Sequence, residues 1–131
     1  MLIIKPVQSK ELQKEYCIAC GVQYRPDALC YAAHVDDVFT GIAQFTMNDD
    51  YGYVYDLVLV PGIEDFEAIV IMGRATLNFI DLRGVHKARC RKEAGAPHIL
   101  KAVGFRTEIG EDLEADLHGM FDGSHCESKH Q

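Results

Sequence analysis

The spacing of apolar residues changes along this chain, and each change marks an element. Leu2 to Val7 opens as a short β-rich run. Ser9 then offers a side-chain oxygen to cap a helix over Lys10 to Cys20, which Gly21 closes. After Pro26-Asp27, Leu29 to Val35 alternates with small and polar residues, Asp36-Asp37 reads as a turn, and Val38 to Met47 follows, which predicts a hairpin. Asn48-Asp49-Asp50 is another turn, and Tyr51 to Val60 has the Tyr, Val and Leu content of a strand buried on at least one face. Three antiparallel strands are thus expected before the next helix.

From about Asp65 to Arg83 the period lengthens to that of a helix. Phe66, Ile69, Val70, Gly73, Leu77 and Ile80 form one stripe, with Ala68, Met72, Ala75, Phe79 and Leu82 beside it. Glu67, Arg74, Asn78 and Asp81 leave only a narrow polar face, so the helix should pack on the sheet and on something else. That second contact is either the first helix or a second subunit, which would make a homodimer. His86 to Arg91 reads as a strand and Ala96 to Val103 as a short helix closed by Gly104-Phe105. Arg106 to Ile109 with Leu113 to Phe121 then reads as a final hairpin around Gly110. The periodicity gives an α+β domain over residues 1–121 with helices on a sheet, and a polar tail over 122–131 that is expected to fray.

Composition narrows the function classes. At 131 residues, 48% apolar and 25% charged, the chain has the make-up of one globular domain. A net charge of −7 argues against a duplex nucleic-acid binder, although Arg83, His86, Lys87, Arg89, Arg91 and Lys92 form a local basic patch. The start, Met1 to Pro6, is too soon broken for a signal peptide, and no apolar run approaches a membrane span, so a cytoplasmic protein is expected. Five cysteines, Cys17, Cys20, Cys30, Cys90 and Cys126, make an odd count, which suits reduced thiols.

One stretch carries a resemblance. Asp56-Leu57-Val58-Leu59-Val60, then Pro61, a loop, the long helix and Gly84-Val85 match without gaps the core of the GNAT (N-acetyltransferase) superfamily, and the order of elements is similar from Leu2 to Phe121. The resemblance implies a GNAT-like mixed, mostly antiparallel sheet flanked by helices, acetyl-CoA as cofactor, and acetyl transfer to a small-molecule or peptide amine. In that family the loop reads Arg/Gln-x-x-Gly-x-Gly/Ala, and its backbone amides at a helix start hold the pyrophosphate of coenzyme A. Here the same positions read Glu64-Asp65-Phe66-Glu67-Ala68-Ile69. The positions facing the cofactor by this match are Leu59, Val60, Gly62, Glu64, Asp65, Phe66 and Glu67.

The family's chemistry can be checked residue by residue. Asp56 stands where the family often has an acid, and a partly buried carboxylate there could act as general base; its alternative is a strand aspartate that is solvated or bonded to a backbone amide. The tyrosine that protonates the departing thiolate sits four residues before the Gly-Phe pair, which is Leu100 here, and a leucine cannot donate a proton. His98 is near enough to substitute; its alternative is a surface or capping residue at a helix start. Glu64, Asp65 and Glu67 serve as cap and dipole partners of the helix, each worth ~0.3–1 kcal/mol. They also repel a pyrophosphate: unit charges 4 Å apart interact by ~4 kcal/mol at an effective dielectric of 20. Weak or absent binding of coenzyme A in the family's pose is therefore expected, with Gly62 leaving room for an altered loop.

Two further features bear on function. Cys17 and Cys20 form a C-x-x-C pair at the end of a helix, and with Cys126 and His130 in the tail, beside His125, they supply enough ligands for zinc; the alternative is that they are small buried hydrophobes. Tyr51, Tyr53 and Tyr55 alternate on one strand face, as a cleft lining or as core rings with wet hydroxyls. Two functions remain open: a GNAT-like acetyltransferase with an atypical cofactor site, and a non-catalytic ligand-binding or interaction module on the same scaffold.

Overall fold

The computed structural model describes residues 1–121. The chain runs β1 (Leu2–Pro6), α1 (Lys10–Cys20), β2 (Leu29–Val35), β3 (Val38–Met47), β4 (Gly52–Leu59) and α2 (Phe66–Leu82). It continues through β5 (Lys87–Arg91), a 3-10 turn (Lys92–Ala94), α3 (Pro97–Val103), β6 (Thr107–Ile109) and β7 (Asp112–Asp116). All seven strands lie in one sheet, in the order β1-β2-β3-β4-β5-β7-β6. Every pairing is antiparallel except β4 with β5, and that parallel pair is bridged by α2, as a parallel crossover requires.

Local chemistry sets most of these boundaries. The Ser9 hydroxyl accepts the Leu12 amide at 3.1 Å at the start of α1, and Gly21, at φ 73°, ends it while Val22 N–H reaches back to the Cys17 carbonyl. Asp36 and Asp37 both take left-handed φ, 51° and 70°, as a two-residue hairpin turn with the twist of its strands demands. The Asn48 side chain accepts the amides of Asp50 and Tyr51 and turns the chain into β4.

The helices cover opposite faces. Along β2, Cys30 and Ala32 point to the α1 side with Ile42, Cys17 and Cys20, whereas Tyr31 and Ala33 point to the α2 side with Ala43, Phe45, Leu57 and Leu77. The second flank of α2 is taken by α3 rather than by α1. The approach is close: a Cβ on Gly73 would stand 2.6 Å from Val103 and 3.0 Å from Leu57. β1 adds a fourth strand ahead of α2. The last strand is shorter than the apolar pattern suggests, ending at Asp116, because Leu117, Met120 and Phe121 belong to a turn that folds onto the core.

Candidate functional site

The site begins with an irregularity in β4. Gln44 pairs with Asp56 and Phe45 with Val54, which leaves Tyr55 as an extra residue, a β-bulge that bends the strand. β4 stays beside β5 only through Gly52–Val54, paired with Ala88–Cys90. Past the bulge the strands part, and the chain leaving β5 crosses beneath the gap. A Cβ on Gly95 would lie 2.8 Å from the Leu57 carbonyl oxygen, so only glycine lets the backbone pass so near β4. Above this crossing lies a cleft of about 730 Å³, within the range of small-molecule sites. Its walls are β4 from Leu57 to Val60, the Pro61–Asp65 loop, Phe66 and Ile69 of α2, and Gly95, Ala96, His98 and Ile99.

Of the seven positions matched to the cofactor loop, Leu59, Val60, Gly62, Glu64, Asp65 and Phe66 line this cleft, while Glu67 is exposed outside it. Asp65 is the N-cap of α2: its carboxylate accepts the Ala68 amide at 3.0 Å, so the protein's own anion occupies part of the helix start. Val60 N–H is bonded to the Thr40 carbonyl at 2.8 Å. His98 stands on the opposite wall with its ring parallel to Phe66, centroids 6.2 Å apart. Leu100 is fully buried behind that wall.

Asp56 does not line the cleft. It faces the α1 side and is 1% exposed, neither solvated nor bonded to a backbone amide. One carboxylate oxygen accepts from Arg91 Nη2 at 3.1 Å; the other accepts from Gln44 Nε2 at 2.8 Å and Arg25 Nε at 3.3 Å. Arg91 Nε also donates to the carbonyl of the bulged Tyr55 at 2.8 Å, and the Arg25 guanidinium lies 4.5 Å over the Tyr55 ring. Gln44 Oε1 accepts from Gln13 Nε2 and the Arg25 amide, and its own amide group also donates to the Gln23 carbonyl. Gln13, Gln44 and Asp56 are thus buried polar groups with their partners supplied, joining α1, the α1–β2 loop, β3, β4 and β5.

Sequence reasoning found Asp56 but none of its partners. Arg25 sits in a loop and Arg91 across a strand pair, so no local spacing connects them. Alternation does place Arg89 and Arg91 on one face of β5, and adjacency of β4 and β5 would have directed Arg91 at Asp56. The tyrosines lie on this same side: Tyr53 and Tyr55 meet edge to face at 4.8 Å, Tyr53 donates to Asp112 at 2.9 Å, and Arg89 lies 4.4 Å over Tyr51 while pairing with Glu114.

Cys17, Cys20 and Cys30 pack together with Ala32 and Ile42 as apolar groups, and burial pushes the Cys17 thiol up to about 11 and those of Cys20 and Cys30 up to about 12. Cys126 and His130 lie outside the described residues. Among the described residues no three histidine, cysteine, aspartate or glutamate side chains are grouped to hold a metal ion.

No family model matches the chain, and no curated protein is similar to it in sequence at a significant level. Solved structures do match in three dimensions. The PaiA N-acetyltransferase of Thermoplasma acidophilum, in complex with coenzyme A, aligns over 88% of this chain and 99% of its own, with a TM-score of 0.67 and 13% identity. An IAA acetyltransferase from Bacillus cereus aligns over 89% of this chain and 100% of its own at a TM-score of 0.70 and 13% identity. The ribosomal-protein-S18-alanine N-acetyltransferase of Escherichia coli aligns over 88% of this chain and 90% of its own, with a TM-score of 0.65 and 13% identity. The bulged β4 parting from β5, the loop into α2 and the cleft between them therefore stand in the GNAT N-acetyltransferase fold, which is the fold of this chain.

Proposed function

We propose that this protein transfers an acetyl group from acetyl-CoA to an amine, holding the cofactor by its thioester arm far more than by its pyrophosphate. The observation that carries this reading is the cleft itself: apolar walls along Leu57 to Val60 and Ile99 run between the parted strands and up to the start of α2. A neighbour of the same fold is a complex with coenzyme A, which supports the same cleft as the cofactor site here. In the reaction the amine nitrogen attacks the thioester carbonyl carbon, the C–S bond breaks, the amine proton passes to water, and the thiolate takes a proton. We assign that last proton to His98, which lines the cleft wall, since the buried Leu100 cannot fill the role. Asp56, with its oxygens occupied by three donors, acts as a positioning residue that holds Arg25, Arg91 and the bulge.

The acceptor is a small-molecule or peptide amine. The reaction belongs in the cytoplasm, which suits the four free cysteines among the described residues. Among the described residues no helix is long and apolar enough to cross a membrane. Titration calorimetry with acetyl-CoA tests the proposal. The expected result is weak binding, with a Kd of roughly 0.1–1 mM, strengthened at least about tenfold by Glu64→Arg with Asp65→Gly as repulsion is removed. No heat from either protein at millimolar cofactor would sink the acetyltransferase reading and leave a non-catalytic GNAT-shaped module.

A further inference from the structure

A second hollow, of about 380 Å³, lies at the C-terminal end of α2 and shares no residue with the cleft. Its floor is a three-ring cluster. Tyr31 and Phe45 stack at 5.9 Å, and Phe79 meets both edge to face, at 6.0 and 5.7 Å. Its rim carries two cations. The Arg83 guanidinium lies 4.7 Å over the Phe79 ring, and the Lys10 ammonium donates only to neutral acceptors, the Ala28 carbonyl at 2.7 Å and Gln13 Oε1 at 3.1 Å. Among the described residues neither cation has a carboxylate partner. In a chain of net charge −7, cations without a carboxylate partner beside the partly buried rings of Tyr31 and Phe79 are a chemical complement to an anion with an apolar body.

We infer that this hollow binds a small amphipathic monocarboxylate, with its apolar body on Tyr31 and Phe79, which Phe45 backs from the core, and its carboxylate on Arg83. A guanidinium takes a carboxylate in a two-pronged, charge-assisted hydrogen bond, and the aromatic rings bind a ring or short chain in preference to a polar body. Burial raises the Tyr31 phenol's pKa while Arg83 opposes the rise, so this hydroxyl stays protonated and is a donor at the same end. An adjoining hollow shares Leu29, Phe79 and Arg83 and has Asp27 on its border. That carboxylate repels a second acid, which selects a monoanion over a dicarboxylate.

The test is calorimetry and amide-resolved NMR titration of the full chain with 4-phenylbutyrate, 4-phenylbutylamine and 4-phenylbutanol. The acid is expected to bind 1:1 and at least about tenfold tighter than the amine or the alcohol, the scale of a hydrogen bond to a charged group. Shifts should centre on Tyr31 and Phe79 and spare Leu59 and Phe66. Arg83→Gln should abolish the preference for the acid, and Tyr31→Phe, which keeps the ring, should weaken the acid alone; acetyl-CoA binding should be unchanged in both. Absence of acid binding, equal binding of acid and amine, an unaltered preference in Arg83→Gln, or shifts confined to the cleft would each overturn the assignment.

Discussion

The two faces of the sheet are built from different interactions. On the α2 side the core is dominated by apolar side chains: Phe45, Leu57, Met72, Leu77, Ile80, Leu100 and Val103 are all at most 1% exposed, and the one buried hydroxyl of α2, on Thr76, donates to its own helix at the Met72 carbonyl. On the α1 side the centre is polar, with Gln13, Gln44 and Asp56 as deeply buried and held by directed hydrogen bonds. Apolar packing is non-directional and supplies stability, whereas a satisfied buried network fixes geometry at a comparatively small net gain. β4 belongs to both. Leu57 sits in the apolar core while the adjacent Asp56 anchors the network, and the bulge between Val54 and Asp56 opens the cleft. The strand that shapes the candidate site is therefore pressed from one side and pinned from the other.

Breaking the apolar side should have the larger effect on stability. Leu77→Ala removes a fully buried side chain from beneath α2 and is expected to cost about 4 kcal/mol in urea unfolding, near the upper part of the range for such truncations. Asp56→Ala strips the charge from between two guanidiniums and leaves the Gln44 amide short of an acceptor. Breaking one partner of a buried pair costs ~3–5 kcal/mol, and the partial exposure of both arginines places this change near ~3 kcal/mol. The two variants should differ in kind as well. Asp56→Ala should raise hydrogen exchange in the α1–β2 loop, where the Gln23 carbonyl and the Arg25 amide are tied to Gln44, beyond what the global loss of stability explains. Leu77→Ala should leave that loop tied. If Asp56→Ala costs under ~1 kcal/mol and the loop stays protected, the polar network is not the pin described here.

This division also explains what could be read from the sequence. The apolar side is repetitive along the chain, so the stripe from Phe66 to Ile80 announced α2, and short-range signals such as Ser9, Gly21 and Asp65 announced its caps and those of α1. The loop into α2 was equally legible, since a cap and its amide are three residues apart. The polar side is not repetitive. Arg25 and Arg91 lie 31 and 35 residues from Asp56, and only the order of strands in the sheet brings them together. An acid within an apolar strand therefore reads as a base or as a solvated or amide-bonded aspartate, with its true partners hidden. Leu117, Met120 and Phe121 misled in the opposite direction: they are apolar because they cover the core, and no pairing continues the strand through them.

The thiols give the finest test of whether the two faces are separate units, with little effect at neutral pH. Burial first of all raises the thiols, Cys17 to about 11 and Cys20, Cys30 and Cys90 to about 12, whereas an unfolded thiol ionises near 9. The folded state thus keeps protons that the unfolded state releases. Stability should be insensitive to these groups below pH ~9 and fall as pH rises from there toward the folded values, which urea midpoints across pH 8 to 10.5 would measure. Cys17, Cys20 and Cys30 lie in the cluster under α1, whereas Cys90 lies in the cluster under α2. If α1 lifts from the sheet before the α2 side opens, iodoacetamide at pH 9 under native conditions should label the first three together and ahead of Cys90. Labelling of all four at one rate would mean that the sheet opens as a single unit, and the contrast between a pinned face and a packed one would then describe its geometry but not its dynamics.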